Sequence, residues 1–374
     1  MSKENIRSNL KNIIGFVSNR KIVVIESDDW GSIRTRSKTD YDRMLSLGLN
    51  LNGNPYTKYD SLESNNDLER LYDTLSAVKD KYGNYPVFTP MYIMANPDYK
   101  KIKDDDFQNY HYEHFFETCK DYPCHDKVKQ LILEGIGSHI FVPALHGREH
   151  LNAPRWLRIL RSNNEGAIVQ FQHRSIGADS FKGVPIPMYL GAFDPELPED
   201  TSFIMQSLVE ACKMFENSFG YRPKHFIEPD EFGTKELESK AHELGIRFLL
   251  RAKVTKYSNY YNKKTRPYFH WIGKRNKFGQ VYLTRNCTFE PHRPLNLSNV
   301  VDSCLAEIDS AFKWKKPAVI ISHRSSYVGS ISEKNQINGL KQLKELLESI
   351  VKNWPDVEFM TSMQLGDLIN RKND

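Results

Sequence analysis

The sequence predicts an α/β protein in which strands and helices alternate around a parallel sheet or barrel. Two observations carry this. Short apolar runs rich in β-branched residues recur between stretches whose apolar residues repeat at helical spacing, the pattern of βα units. Four of those runs also end in carboxylates or imidazoles: Asp28 and Asp29, His146 and His150, Glu228 to Glu231, and His323. In a parallel barrel the C-terminal strand ends gather on one face, where active sites sit. Residues far apart in sequence therefore belong to one candidate site.

The chain opens with an amphipathic helix expected over 4–19. Ile22-Val-Val-Ile25 then runs as a buried strand into Glu26-Ser27-Asp28-Asp29-Trp30-Gly31. Two adjacent aspartates repel, so if both stay ionised a cation or donor lies close by. A polar stretch over 34–66 is expected as loop, with a helix near 41–47. Leu68, Leu71, Leu75 and Val78 mark a helix over 67–81, and 85–94 reads as a strand interrupted by prolines. Residues 97–123 are an aromatic, acidic insertion. A helix over 124–134 stops at Gly135 or Gly137, and His139–Leu145 is a strand leading into His146-Gly147-Arg148-Glu149-His150. A helix begins at Trp156. Residues 176–200, rich in proline and glycine, form a long loop, and 201–219 form a helix.

Lys224–Pro229 reads as the next strand. Thr234 caps a helix ending at Gly245, and Ile246–Leu250 is a strand. Residues 268–289 are expected to form a β-hairpin turning at Lys277-Phe278-Gly279. A helix over 299–313 precedes the strand Ala318–Ser322 and His323. A helix over 335–352, a short strand over 357–360 and a helix over 364–369 complete the chain. No repeat, low-complexity tract or linker interrupts it, which favours one elaborated domain over 1–374.

Composition excludes several classes. With 39% hydrophobic and 26% charged residues the chain is an ordinary globular mix. Net charge is +5 and the pI near 8.7. This is too weak a bias for nucleic-acid binding, but it suits an anionic substrate such as an acidic sugar or sugar-nucleotide. Basic clusters such as Lys263–Arg266 read as solvated faces. Five cysteines with no CxxC spacing argue against a disulfide framework and a cysteine zinc site. No signal-type apolar core or membrane-length apolar window is present, so the expected location is cytoplasmic.

His146 and His150 stand four apart, a spacing at which two imidazoles on a helical turn bind one metal. A carboxylate as third ligand leaves a position for water, the mark of a catalytic zinc site. Zinc is the default for such donors, with cobalt, nickel or manganese as alternatives.

These stretches resemble, in order, the motifs of the polysaccharide deacetylases of the NodB-homology type, carbohydrate esterase family 4. Glu26–Gly31 stands where that family has Thr-Phe-Asp-Asp-Gly, and His146–His150 where it has His-Ser/Thr-x-x-His. Phe226–Gly233, followed by a helix, matches the third motif, and Ile320-Ile321-Ser322-His323 the last. The resemblance implies a distorted (β/α)7-type barrel of the NodB kind holding a divalent metal. It makes Asp29, His146 and His150 ligands, Asp28 the general base and His323 the general acid. The implied partner is an acetylated saccharide or sugar-nucleotide, in polysaccharide biosynthesis. Residues expected to touch it are Trp30, Arg148, Glu228, Asp230, Glu231 and Arg324.

The sequence departs from the family at several points. Trp30 replaces a glycine, and the arginine of the third motif is missing. Arg34, Arg148, Arg285 and Arg324 are its possible substitutes. The fourth motif has only a positional counterpart at Arg285–Pro291, and Arg324 follows the last histidine where the family has an acid.

Two rival readings stand beside this one. His-x-x-Glu149-His also fits the HxxEH metallopeptidases, with Glu149 as base, but that pattern needs a helix, and Pro143 and Gly147 disfavour one. A barrel without chemistry that binds saccharide is the other. Tyr110, Tyr112, Phe115, Phe116, Tyr257, Tyr260, Tyr261, Tyr268 and Trp271 would be its stacking faces. His173 is a weaker candidate for substrate contact, and His225, His242, His270 and His292 read as structural or surface.

Overall fold

A computed structural model describes residues 9–231, 233–256, 267–293 and 300–371, and the side chains of Glu231 and Lys256 lie outside that description. Nine parallel strands share one sheet. They are β1 (Lys21–Trp30), β2 (Phe88–Ile93), β3 (Ala144–Gly147), β4 (His225–Phe226), β5 (Phe248–Leu250), β6 (Val281–Leu283), β7 (Cys287–Thr288), β8 (Ala318–His323) and β9 (Val357–Phe359). Eight follow the order β6-β5-β4-β3-β2-β1-β8-β7, and β9 pairs with the start of β1. The result is a curled, incompletely closed barrel of the distorted (β/α) kind. Its two end strands, β6 and β7, are consecutive in sequence. The three residues between them therefore cross the seam, and Arg285 is the middle one.

Helices α1 (Lys38–Leu47), α2 (Asn65–Ser76), α3 (Val128–Gly137), α4 (Ala153–Arg161), α5 (Asp200–Phe219), α6 (Lys235–Glu243), α7 (Val300–Lys313), α8 (Glu333–Asn353) and α9 (Ser362–Arg371) accompany the strands. The period-2 alternation of strands sorts the core into two layers. Val23, Ile25, Phe88, Leu145, Phe226, Leu249, Tyr282 and Ile320 face outward, onto Leu68, Leu71, Ile132, Leu208, Leu237, Ile308 and Leu343 of the helices. Ile22, Val24, Met91, Ala144, Ile227, Phe248, Leu250, Val281, Leu283 and Val319 face inward, where Leu365 and Ile369 of α9 join them.

Several expectations are corrected. Helix is seen only over 9–12; the chain then bends at Gly15, whose φ is +115°, and Phe16 N–H donates to Ile272 O at 2.8 Å. Residues 4–8 of that expected helix lie outside the described residues. The third strand is 144–147 rather than 139–145, because the stretch before Pro143 makes only an isolated bridge from Phe141 to Phe88. The hairpin over 268–289 forms only next to its turn. Around the turn at 276–279, Gly273 N–H donates to Tyr282 O at 2.9 Å and Tyr282 N–H to Lys274 O at 2.8 Å, and Arg275 bridges Val281; beyond that, Val281–Leu283 pairs in parallel with β5, where both inward side chains are buried. Residues 97–123 form a small ribbon, Ala95–Pro97 with Tyr112–His114, and two short helices.

The turn Arg324–Ser326 follows His323, and α8 lies directly against it: a Cβ on Gly339 would sit 1.9 Å from Ser326 O. In an exposed helix Gly→Ala gains up to about 1 kcal/mol. Here overpacking against backbone, which costs about 1–3 kcal/mol, outweighs that gain. Gly339→Ala is therefore expected to lower the thermal midpoint; an unchanged or raised midpoint in calorimetry contradicts this packing.

Candidate metal and acid–base site

Strand alternation delivers most of the site. Beyond Ile22 and Val24, the inward positions of β1 are Glu26 and Asp28. Beyond Ala144 comes His146, beyond Val281 and Leu283 comes Arg285, and beyond Val319 and Ile321 comes His323. Asp28, His146, Arg285 and His323 meet at the C-terminal mouth of the barrel, in the wall of a cavity of about 330 Å³, with Glu26 buried beneath them. Asp29 breaks the rule. By alternation it would face the helices, but its φ is +78° and the β1–β2 register shifts between Ser27 and Trp30. This bulge turns a second, adjacent carboxylate into the same cavity. Left-handed backbone costs a non-glycine residue free energy, and such strain persists where surrounding structure enforces it.

Asp29, His146 and His150 converge, with one donor atom from each lying within 4.8 Å of the others. Asp29 Oδ1 is 3.6 Å from His146 Nε2 and 3.1 Å from His150 Nε2. An ion held tetrahedrally at about 2.1 Å separates its ligands by roughly 3.4 Å, so the spacing fits. His146 Nδ1 donates to Ile227 O at 2.9 Å, leaving the Nε2 lone pair facing Asp29. His150 Nδ1 is buried without a hydrogen-bond partner. The convergence does not come from a helical turn: His146 ends a strand, His150 lies in a bend, and Gly147 between them has φ +144°.

Each carboxylate has its own cation. Arg285 donates from Nη1 and Nη2 to the two oxygens of Asp28 at 2.7 and 2.6 Å, and from Nε to Glu26 at 2.7 Å. Burial pushes the Asp28 carboxyl up, but the Arg285 charge and hydrogen bonds outweigh it and hold Asp28 below the usual range. Of the four arginines considered from the sequence, Arg285 is the one paired with Asp28. Arg34 lies 3.5 Å from Asp29 Oδ2. Against burial, Arg34 and the two histidines keep Asp29 well below the usual carboxylate range.

His323 Nδ1 donates to Glu290 Oε1 at 2.6 Å, and its Nε2 is 3.8 Å from Asp28 Oδ2. Burial favours the neutral ring, but Glu290, then Asp28 and Asp29, prevail and raise it to about 9. At neutral pH it is an imidazolium, an acid poised beside a carboxylate.

The cavity also includes Glu228 and Asp230, as expected, together with Tyr56 and Asn54. Asp230 holds a left-handed backbone, φ 58°. Glu228 is buried and ion-paired with Arg251, so its role is to anchor the rim. Three expected contact residues are misplaced. Trp30 is fully buried among Phe88, Tyr92 and Phe141, its indole N–H donating to Ser27 Oγ at 3.0 Å. Arg324 is also fully buried, bonded to Asp60 at 2.9 and 3.0 Å and to Glu63 at 2.9 Å. Arg148 pairs with Glu149 and Glu210 between the rings of Tyr112 and Phe203, away from the cavity. The side chain of Glu231 lies outside the described residues. His173 pairs with Asp40 at 3.0 Å and is not in the cavity wall.

Glu149 turns into its pair with Arg148, and no helix carries the two histidines, which removes the metallopeptidase reading. Of the proposed stacking aromatics, Phe115 is core, Tyr110 and Tyr112 surround Arg148, and Tyr257, Tyr260 and Tyr261 lie outside the described residues. Tyr56 is the aromatic in the cavity, its ring 4.4 Å from His323. Glu290 lies in the Arg285–Pro291 segment and follows β7, so it obeys the strand-end rule; Tyr56, in the short helix Pro55–Tyr59 within the stretch expected as loop, gives no signal in the sequence.

No family model matches the sequence, and no curated protein matches it. Several solved structures are similar along nearly the whole chain. A Pseudomonas aeruginosa PAO1 protein assigned as a polysaccharide deacetylase has a TM-score of 0.48 at 10% identity, covering 95% of this chain and 92% of its own. Puue allantoinase gives 0.47 at 10% identity, with coverages of 94% and 91%. A Mycobacterium smegmatis protein, also assigned as a polysaccharide deacetylase, gives 0.46 at 10% identity, with coverages of 96% and 94%. At such identities and scores the likeness carries no inference about chemistry, which rests on the site itself.

Arg285→Met leaves Glu26 and Asp28 buried without their cation. Breaking a buried pair on one side costs about 3–5 kcal/mol, readable by urea unfolding at pH 7. Because Asp28 titrates lower folded than unfolded, its pairing stabilises above the unfolded carboxylate range and is lost on acidification. The deficit of the variant is therefore expected to narrow as pH falls; a deficit independent of pH contradicts the pairing.

Proposed function

We propose that this chain is a metal-dependent hydrolase that removes an acetyl group from an N- or O-acetylated sugar, in the biosynthesis of a polysaccharide. The observation that carries the reading is the buried Asp29–His146–His150 triangle with Asp28 and His323 on the same cavity wall. Asp29, His146 and His150 would hold a divalent ion, zinc by donor type. When bound, such an ion supplies Lewis-acid polarisation of an acyl oxygen and makes a water more acidic.

The chain's own groups supply the remainder. Asp28 is ionised, and although Arg285 engages both oxygens, each keeps a second lone pair able to take a proton from water. His323 carries the proton a departing amine or alcohol needs. Glu290 fixes the His323 ring and keeps it charged. A cavity near 330 Å³ suits one sugar residue more than a long polymer. Among the described residues no helix is long and apolar enough to cross a membrane. A cytoplasmic sugar intermediate is the substrate setting we favour.

One contact favours a second reading. Arg34 Nη2 lies 3.2 Å from His150 Nε2, aimed at the nitrogen an ion would need. A saccharide-binding barrel without metal would keep that contact.

Metal analysis with acetate release on the same samples separates the two. Wild type is expected to hold one ion per chain. Asp29→Asn, which tolerates the left-handed backbone, and His146→Ala are expected to lose it. Asp28→Asn should keep the ion and lose about 10²–10⁴-fold in kcat. A metal-free wild type, or an active Asp28→Asn, ends the hydrolase reading.

The pH profile gives a separate test. His323 titrates higher in the fold, so its proton is held below pH 9 and lost above. Activity is expected to fall as pH rises through about 9. In Glu290→Gln this alkaline limb moves to lower pH, with the metal retained; an unmoved limb removes Glu290 from the mechanism.

A further inference from the structure

Arg34 stands where the candidate metal site meets the buried Asp60–Arg324 network. Its main chain is pinned: the Arg34 carbonyl accepts from Ile176 N–H at 3.0 Å and from Ser175 Oγ at 2.8 Å. Its guanidinium is held more loosely. Although the side chain is only 5% exposed, it meets its two carboxylates at long range, Asp29 Oδ2 at 3.5 Å from Nη2 and Asp60 Oδ2 at 3.8 Å from Nε. That Nε has no hydrogen-bond partner. A Cβ on Gly177 would come 3.3 Å from Nη1, so the glycine leaves the group room.

The remaining contact is from Nη2 to His150 Nε2, at 3.2 Å. A guanidinium has no lone pair to offer, so it can only donate. His150 Nε2 therefore accepts, with the one lone pair that a metal ion also needs. Proximity leads to the same conflict. An ion about 2.1 Å from Nε2 would lie within roughly 5.3 Å of Nη2, two positive charges in a buried site. Asp60 offers the guanidinium another place. It already accepts from Arg324 at 2.9 and 3.0 Å, but a carboxylate has about four acceptor positions and can serve both arginines.

We propose that Arg34 is a displaceable counter-cation of the metal site. It neutralises Asp29 and caps His150, a divalent ion enters by taking both from it, and the guanidinium shifts onto Asp60. The proposal rests on the hydrolase reading for the presence of the metal. Moving Arg34 costs the same whichever ion enters, so it lowers every metal affinity by one factor. Ions that bind nitrogen strongly, such as zinc, still load, while weaker ones such as manganese are held off.

Competition with a chelator measures zinc and manganese affinities of the full chain with no substrate present. Arg34→Gln is expected to bind zinc roughly tenfold or more tightly than wild type, the scale of one charge-assisted hydrogen bond that no longer has to be broken. Manganese should tighten by a similar factor. Arg34→Lys keeps the charge without the planar fork, is expected to fall between the two, and carries the test if Arg34→Gln does not fold. In thermal unfolding, zinc should raise the midpoint of Arg34→Gln by more than that of wild type. Removing a partner that merely orients a ligand weakens metal binding, by about 10–100-fold. A weaker or unchanged zinc affinity in Arg34→Gln therefore overturns the proposal, as does a zinc gain that manganese does not share. So does a zinc-bound crystal structure of wild type with Arg34 still on His150. The two readings fail separately. Tight zinc without acetate release, or zinc in Arg34→Gln and none in wild type, ends the hydrolase and leaves the displacement standing. Zinc held equally by both chains ends the displacement alone.

Discussion

Two neighbouring carboxylates, Asp28 and Asp29, must stay charged inside one buried cavity, and the surrounding structure answers that requirement. At about 4 Å two like charges repel by roughly 4 kcal/mol at an effective dielectric of 20. Left alone, one of the pair would take up a proton. Here Arg285 crosses the barrel seam to one, and Arg34 with two imidazoles surrounds the other. The pair also has to share a face, which a regular strand forbids. The left-handed Asp29 and the register shift beside it solve this locally.

The same logic extends outward. His323 is kept charged by Glu290, and Arg324, its neighbour in sequence, is locked to Asp60 and Glu63 in the β1–β2 connection. Buried ion pairs add little net stability, because desolvation offsets the attraction. They do fix directions, and the turn holding His323 is clamped between that network and α8. Charge in this protein is therefore spent on orientation, while the two apolar layers hold the barrel together.

Much of this was legible in the chain. The apolar run ending in Asp28 is a strand, and period-2 alternation from Ile22 and Val24 puts Glu26 and Asp28 inward. The same count puts His146, Arg285 and His323 inward. Trp30 and Arg324 each follow a site residue yet lie outside the cavity, because in a strand or tight turn the next residue points the other way; Arg148, in the bend between His146 and His150, is drawn outward to Glu149 and Glu210. The hairpin over 268–289 is confined to its turn, because the buried edge of β5 pairs with Val281–Leu283 and draws that stretch into the sheet.

The sequence alone determined the αβ alternation, the strand ends that carry chemistry, and the types of donor available, since these follow from local periodicity and side-chain chemistry. Only the tertiary structure decided which arginine serves which aspartate, that Glu290 orients His323, and that Tyr56 lies against the His323 ring. Those facts are distances across the barrel, set by sheet order and by one bulge. No local pattern encodes them, because each depends on how segments remote in the chain pack together.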